Sequence, residues 1–279
     1  MYQALRRQLL GAAGVGGGSG SGERRASSAV ASSSPASMAE AMAEMESKSQ
    51  YAIDVRNDIT NYKDAIDGPD GLAAQVSKAK FRRTDDVVRF VNKVDEALAA
   101  LSDERAVLKE FEWPEEKYDA MREARAAHLQ LMEMSSRLSG WPAARAGTRC
   151  EEELRLMETY LDKVCRVLDS QARTADSDEK RFAKHGVPWD RNAAKAVKHA
   201  ALNLANRYLT RVLDESAKAG TGGHGGVAAQ ARVQELLTKG VRFAFRVHQF
   251  AGGFNQETLK SFEAVSAQLK GIVQKQQGA

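Results

Sequence analysis

With 279 residues, 43% of them hydrophobic, the chain is long enough for one large or two small domains built around a real core. The formal net charge of +4 does not mark a nucleic-acid binder, because residues 1–37 supply +3 of it (Arg6, Arg7, Arg24 and Arg25 against Glu23) and leave the rest at about +1. Binding to nucleic acid draws on clustered phosphate-neutralising charge, and a nearly neutral body lacks it.

Residues 1–37 are rich in Arg, Ser, Ala and Gly, with one acid and a flexible Gly11–Gly22 tract. That composition reads either as a cleaved mitochondrial or chloroplast presequence or as a disordered extension upstream of a second start at Met38. No run reaches the ~18 apolar residues a membrane-spanning helix needs. Residues 38–80 read as a helical, coiled-coil-like segment. Ser37 is expected to cap a helix that runs to Ile66, with Met42, Met45, Ala52, Val55, Ile59, Tyr62 and Ile66 at helical spacing. Gly68-Pro69-Asp70-Gly71 ends it, and a short helix follows over residues 72–80.

Residues 84–273 read as one helical domain. Thr84 is expected to cap a helix with Asp85 and Asp86 in its first turn, where acids suit the positive helix end. Val87, Val91, Val94, Leu98, Leu101, Arg105 and Leu108 then form a heptad seam. Arg105, charged at a core-type position, either fixes an intrachain pairing or faces a partner; Asp103, Glu104 and Lys109 beside it read as solvated face. Trp113-Pro114-Glu115-Glu116 starts the next helix, which buries Tyr118, Met121, Ala124, His128, Leu131 and Leu138. His128 there reads as a core histidine. Trp141 to Gly147 is a linker, and Thr148 with Glu151 spells a capping box.

The helix behind that box places Leu154, Met157, Leu161, Val164 and Leu168 in a second seam and continues towards Lys184. Cys150 and Cys165 share it, roughly 22 Å apart at about 1.5 Å per residue, so they read as reduced thiols. No Cys or His spacing suits zinc. Asp190 caps a helix lined by Val197, Ala201, Leu204 and Tyr208, and Gly220–Gly226 is a linker that lacks the Lys-Ser/Thr ending of a phosphate loop.

The organising element is expected to be the helix over residues 240–251. Val241, Ala244, Phe245, His248 and Ala251 share one face, Phe243, Val247 and Phe250 a second, and only Arg242, Arg246 and Gln249 face away. Gly252 and Gly253 end it, and a last helix from Gln256 sets Leu259, Phe262, Leu269 and Ile272 on one side, with residues 274–279 frayed. Trp113, Trp141 and Trp189 each stand beside a helix-boundary proline and read as corner staples. Arg242 and Arg246, like charges one turn apart, call for an acid either on a neighbouring helix or on a partner.

No H-E-x-x-H, G-x-S-x-G or dinucleotide fingerprint occurs, so no enzyme, metal or cofactor is predicted. The residues alone give an all-α, elongated bundle of seven to eight mostly antiparallel helices with coiled-coil-like seams that acts by binding.

Two blocks carry a family resemblance: Leu101-Ser-Asp-Glu-Arg-Ala-Val-Leu-Lys-Glu-Phe-Glu-Trp-Pro114 and Gly240-Val-Arg-Phe-Ala-Phe-Arg-Val-His-Gln-Phe-Ala-Gly-Gly-Phe254. They resemble the C-terminal domain of the plant CHLOROPLAST UNUSUAL POSITIONING family, which includes the microtubule-associated petal-growth-anisotropy proteins; the looser likeness runs from about Met45 to Glu263. The resemblance implies a fold similar to the formin homology-2 domain. It also implies a role in assembling short actin filaments beside chloroplasts, at the outer envelope or its cytosolic face. Long members add a hydrophobic anchor, an extended coiled coil and profilin-recruiting polyproline tracts, none of which is spelled in these residues. On this resemblance Arg105, Lys109, Trp113, Arg242, Arg246, His248, Gln249, Phe250 and Phe254 are candidate partner-binding or architectural positions. The alternatives are a cortical-microtubule-associated or scaffold protein that oligomerises, with itself or longer relatives, through helical seams, and an organelle-imported helical protein of unrelated role.

Overall fold

A computed structural model describes residues 35–142, 149–221 and 227–277. Among these residues the chain forms ten α-helices and no strand: α1 (Pro35–Asn61), α2 (Lys63–Asp67), α3 (Leu72–Lys78), α4 (Thr84–Leu98), α5 (Glu104–Leu108), α6 (Glu115–Ser139), α7 (Cys150–Lys184), α8 (Arg191–Thr221), α9 (Val227–Ala251) and α10 (Gln256–Gln277). The all-α reading therefore holds. The eight expected helices become ten because two of them are divided. The first breaks at Tyr62, where φ is −103° and ψ 4°. Its start also lies earlier than expected, at Pro35, so Ser37 falls inside the helix.

The expected Val87–Leu108 seam breaks after Leu98. Asp58 on α1 reaches into the gap, its carboxylate accepting from both the Ser102 backbone N–H (2.7 Å) and the Ser102 hydroxyl (2.5 Å). Asp103 then caps α5 by accepting from the Ala106 N–H at 2.9 Å. Arg105 consequently does not occupy a core position: it is exposed on α5, while Val107 and Leu108 take the buried side. Thr84 is the first residue of α4 and makes no cap; its buried hydroxyl donates to the Pro188 carbonyl at 3.4 Å.

The chain divides into two units, residues 1–50 and 51–279. In the described part of the first, every residue from Met38 onward is exposed and Lys48 pairs with Glu44 at 2.7 Å. The second unit holds two apolar cores. One gathers Val87, Val91, Val94 and Leu98 of α4 with Tyr118, Met121 and Ala124 of α6 and Phe182 of α7. The other gathers Leu131, Met134 and Leu138 of α6, Leu154 to Leu168 of α7, and the inner faces of α8, α9 and α10. Helices α6 and α7 thus run through both.

In the second core α8 is the hub, packed against α6, α7, α9 and α10. Glu153 with Arg211 (3.0 Å) and Glu158 with Tyr208 (2.6 Å) set α7 antiparallel to it. The Tyr208–Phe243 stack (centroids 4.1 Å apart) and Lys198 beside Phe250 (5.9 Å) do the same for α9. Helix α10 runs parallel to α8, with the Thr258 hydroxyl donating to the Leu202 carbonyl (3.1 Å) and Ser261 to Asn206 (2.6 Å). Val197, Ala200, Ala201, Leu204, Ala205, Tyr208, Leu209 and Val212 are all buried, so α8 and not α9 organises the bundle. Each fully buried Leu, Val or Phe there contributes very roughly 1.5–3 kcal/mol.

The tryptophans do staple corners: Trp113 meets Tyr118 edge-on at 5.2 Å, Trp141 lies 5.6 Å from Tyr160, and Trp189 lies 5.3 Å from Phe182. The Asp190 carboxylate accepts from the Asn192 N–H at 2.8 Å, at the start of α8. Residues 143–148 and 222–226, which include Thr148 of the expected capping box and most of the glycine-rich linker, lie outside the described residues.

Candidate partner-binding surfaces

Arg105, Lys109 and Trp113 come together around one cavity of about 440 Å³ between α5 and the start of α6. Its inner wall is an ion-pair network. The Arg122 guanidinium donates to Asp95 (Nε, 2.8 Å) and to Glu104 (2.7 Å), and stacks 4.5 Å from the Tyr118 ring centroid. Arg125 adds a second donor to Asp95 at 2.5 Å, and the Tyr118 hydroxyl a third at 2.7 Å. Burial pushes the Asp95 carboxyl up, but the donors from Tyr118, Arg122 and Arg125 outweigh it and hold it below its ordinary value. These charges satisfy one another, and Arg105, whose charge also acts on Asp103, stands with Lys109 at the exposed rim.

The second block separates into three groups. Leu236, Leu237, Gly240, Phe243, Ala244 and Val247 make the single buried stripe of α9, so the expectation of two buried faces is corrected. Phe245 is 56% exposed and His248 is exposed too, because the stripe is only as wide as the groove between α8 and α10. His248 packs edge-on to Phe254 at 4.8 Å, and its carbonyl accepts the Gly252 N–H (2.9 Å) and the Gly253 N–H (3.1 Å). Gly252 stands at φ +81°, so the pair of glycines closes α9 in the left-handed region, and the His248 and Phe254 rings pack beside that turn. Gln249 and Phe250 line a separate recess with Trp189 and Lys198.

Arg246 pairs with Asp162 on α7, which supplies the neighbouring acid that the like-charged pair called for. Arg242 is exposed and has no ion pair among the described residues. Arg242, Phe245, Arg246 and Gln249 therefore form one exposed stripe, three to four residues apart, along the outer side of α9. The aromatic at its centre was placed on a buried face by the sequence reading; extending the Leu237–Gly240–Ala244–Val247 spacing back one turn would have set it off the stripe. On α10, Leu259 is likewise 42% exposed, and Thr258 and Val265 take the buried positions.

Other reactive groups are placed as core. His128 is 8% exposed, and its Nε2 lies 3.3 Å from Asp85 Oδ1. Burial raises both Cys150 and Cys165 above the ordinary thiol value, which keeps them as thiols and not as nucleophilic thiolates. Among the described residues no three His, Cys, Asp or Glu side chains gather as a metal-holding set. No helix among them is long and apolar enough to cross a membrane.

Comparison with known proteins finds an Arabidopsis thaliana relative, named Uncharacterized protein At4g04980. It is 27% identical over 224 residues, which cover 79% of this chain and 30% of the relative. The chain thus spans less than a third of the length of that plant protein. Residues 121–278, from the first core's share of α6 through the whole of the second core, match the family described as IPGAL1-like, C-terminal domain. That match takes in more than half of the 279 residues, and the chain belongs to this IPGAL1-like family, which has plant members.

Proposed function

We propose that this chain is a non-enzymatic, cytoskeleton-binding protein that promotes assembly of actin filaments for chloroplast positioning. The observation that carries the binding role is the exposed Phe245, flanked by Arg242, Arg246 and Gln249 on the outer side of α9. Exposed aromatic and arginine side chains on a rigid helix are the residue types that dominate protein–protein hot spots. The cytoskeletal partner comes from the resemblance of the 101–114 and 240–254 blocks to the chloroplast-positioning and petal-growth-anisotropy family. The Arg105–Lys109 rim is a second contact candidate on the same reading.

The full chain, at micromolar concentration, is expected to accelerate polymerisation of profilin–actin followed by pyrene fluorescence. An R242E/F245A variant is expected to lose most of that acceleration while keeping its helical circular dichroism. No acceleration by the unmodified chain overturns the actin assignment. A fluorescent fusion, with and without residues 1–37, is expected at the chloroplast periphery in both forms. A second reading, a microtubule-associated scaffold that self-associates, is favoured by the exposed Met38, Met42 and Met45 at helical spacing on α1. Co-sedimentation with microtubules and not with actin filaments supports that alternative.

A further inference from the structure

We propose that the Ser102 hydroxyl is a phosphorylation site, and that a phosphate there releases residues 51–61 of α1 from α5. Ser102 stands in the connection between α4 and α5, beside the first core, so this goes beyond the filament contact assigned to the outer side of α9 and does not depend on it. Helix α4 has ended at Leu98 and α5 starts only at Glu104. Ala99, Ala100 and Ser102 in between are exposed, so a modifying enzyme reaches the hydroxyl without unwinding a helix.

The same residue holds α1 in place. Its backbone N–H and its hydroxyl both donate to the Asp58 carboxylate, at 2.7 and 2.5 Å, across 44 positions of sequence. One residue on, Asp103 accepts from the Tyr51 hydroxyl at 2.7 Å. Val55 and Ile59 of α1, with Tyr62 just beyond it, are only partly buried against the first core, so these polar ties carry much of the contact. Ser216 and Ser261 also bridge helices through their hydroxyls, but to the uncharged Gln268 and Asn206. At Ser102 the partner is a carboxylate, which accepts and cannot donate back.

In the modification Ser102 Oγ bonds to the γ-phosphorus of a nucleoside triphosphate and the bond from that phosphorus to the β–γ bridging oxygen breaks. Nucleoside diphosphate leaves, and the hydroxyl proton passes to a base of the protein kinase. The product has lost the donor that met Asp58, and in its place carries phosphate acceptor oxygens with about −1.5 to −2 of charge at pH 7. Glu104 is already paired with Arg122 at 2.7 Å, which leaves Asp58 and Asp103 against Arg105. Two carboxylates and one guanidinium give about −1, and the phosphate takes that to about −3. Arg105 can meet part of the added charge and cannot also neutralise Asp58. A lost hydrogen bond and a new repulsion thus act on one contact. The acids at the two positions after Ser102, Asp103 and Glu104, suit a kinase with a basic substrate groove.

The test uses the full chain with phosphoserine installed at position 102 during synthesis. Hydrogen exchange read by mass spectrometry is expected to quicken at least about tenfold over residues 51–61, while α8 keeps its protection. S102A keeps the backbone N–H bond and adds no charge, so it is expected to quicken exchange there by less than about threefold. Asp58→Asn in the phosphorylated chain removes the repelling carboxylate and is expected to slow exchange over residues 51–61 again. The chain purified from plant cells is expected to carry phosphate on the peptide containing Ser102, lost on phosphatase treatment. Equal exchange in the phosphorylated and unmodified chains overturns the proposal, as does an S102A effect as large as that of the phosphate. Phosphorylated chains that exchange alike with Asp58 and with Asn there overturn it too, and so does equal loss of protection in α8, which marks general unfolding. Chain from plant cells with no phosphate at Ser102 overturns the assignment of the site.

Discussion

Gly240 sits in α9 where α8 and α10 also close in, and a Cβ built there meets Val212 Cγ1 and Val265 Cγ1 at 3.5 Å and Leu209 Cδ2 at 3.6 Å. Those are ordinary van der Waals separations, so the crossing tolerates alanine. Glycine in a helix interior costs about 1 kcal/mol relative to alanine. Gly240→Ala is therefore expected to stabilise the chain by about 0.5–1 kcal/mol, seen as a rise in Tm of roughly 1–4 °C; a fall in Tm shows that the three valine and leucine neighbours cannot accommodate the methyl. Single residues were legible where a local rule decides them: Trp113, Trp141 and Trp189 by their prolines, Asp190 by its position before a helix. Phe245 and Arg105 were not, because hydrophobicity and heptad spacing describe what a residue prefers, whereas exposure depends on how wide a groove its neighbours leave and where the helix actually stops.

At the scale of elements, α4, α5 and α6 are joined through carboxylates. Asp95 on α4 collects Tyr118, Arg122 and Arg125 of α6, and its carboxyl lies below the ordinary 3.8. Asp58, held low by the Ser102 hydroxyl and N–H, and Asp103, held low by the Ala106 N–H and the Tyr51 hydroxyl, tie α1 and α5 in the same way. A carboxyl that titrates lower when folded binds fewer protons in the folded chain, so its stabilisation is complete above the unfolded value of 3.8 and is lost as pH falls through the lowered folded values. The urea midpoint is expected to be flat above pH ~5 and to drop on acidification below pH ~4. Asp95→Asn is expected to cost about 1–3 kcal/mol at neutral pH and to make that acid drop smaller; equal acid slopes in the two proteins remove Asp95 from the account. The division of the Val87–Leu108 seam belongs to this scale too. The heptad letters continue across residues 99–103, and only the long-range bond from Asp58 to Ser102, 44 positions apart, shows why the helix does not.

Across the whole second unit, the second core is organised by a helix whose sequence is undistinguished. Ala193, Ala200, Ala201 and Ala205 of α8 are small enough for neighbouring helices to approach closely, and that is what lets one helix bury almost every side. Composition instead pointed to the phenylalanine-rich α9, since a large side chain announces itself and a small one at a crowded crossing does not. The first core and the second share α6 and α7, with Tyr118 to Ala124 in one and Leu131 to Leu138 in the other along a single unbroken α6. Unfolding of either core then strips a continuous helix of half its packing, so the two are expected to melt together. Trp113 and Trp189 report on the first core and Trp141 on the second. Urea curves for a Trp141→Phe chain and for a W113F/W189F chain should coincide. Ala126 is exposed on α6 between the two buried stretches, and proline there removes a helix hydrogen bond and clashes with the preceding turn, at a cost of about 3 kcal/mol or more. Added to each tryptophan background, Ala126→Pro is expected to pull the two curves apart, the core that depends more on α6 melting first; curves that already differ without the proline show that α6 and α7 do not couple the cores.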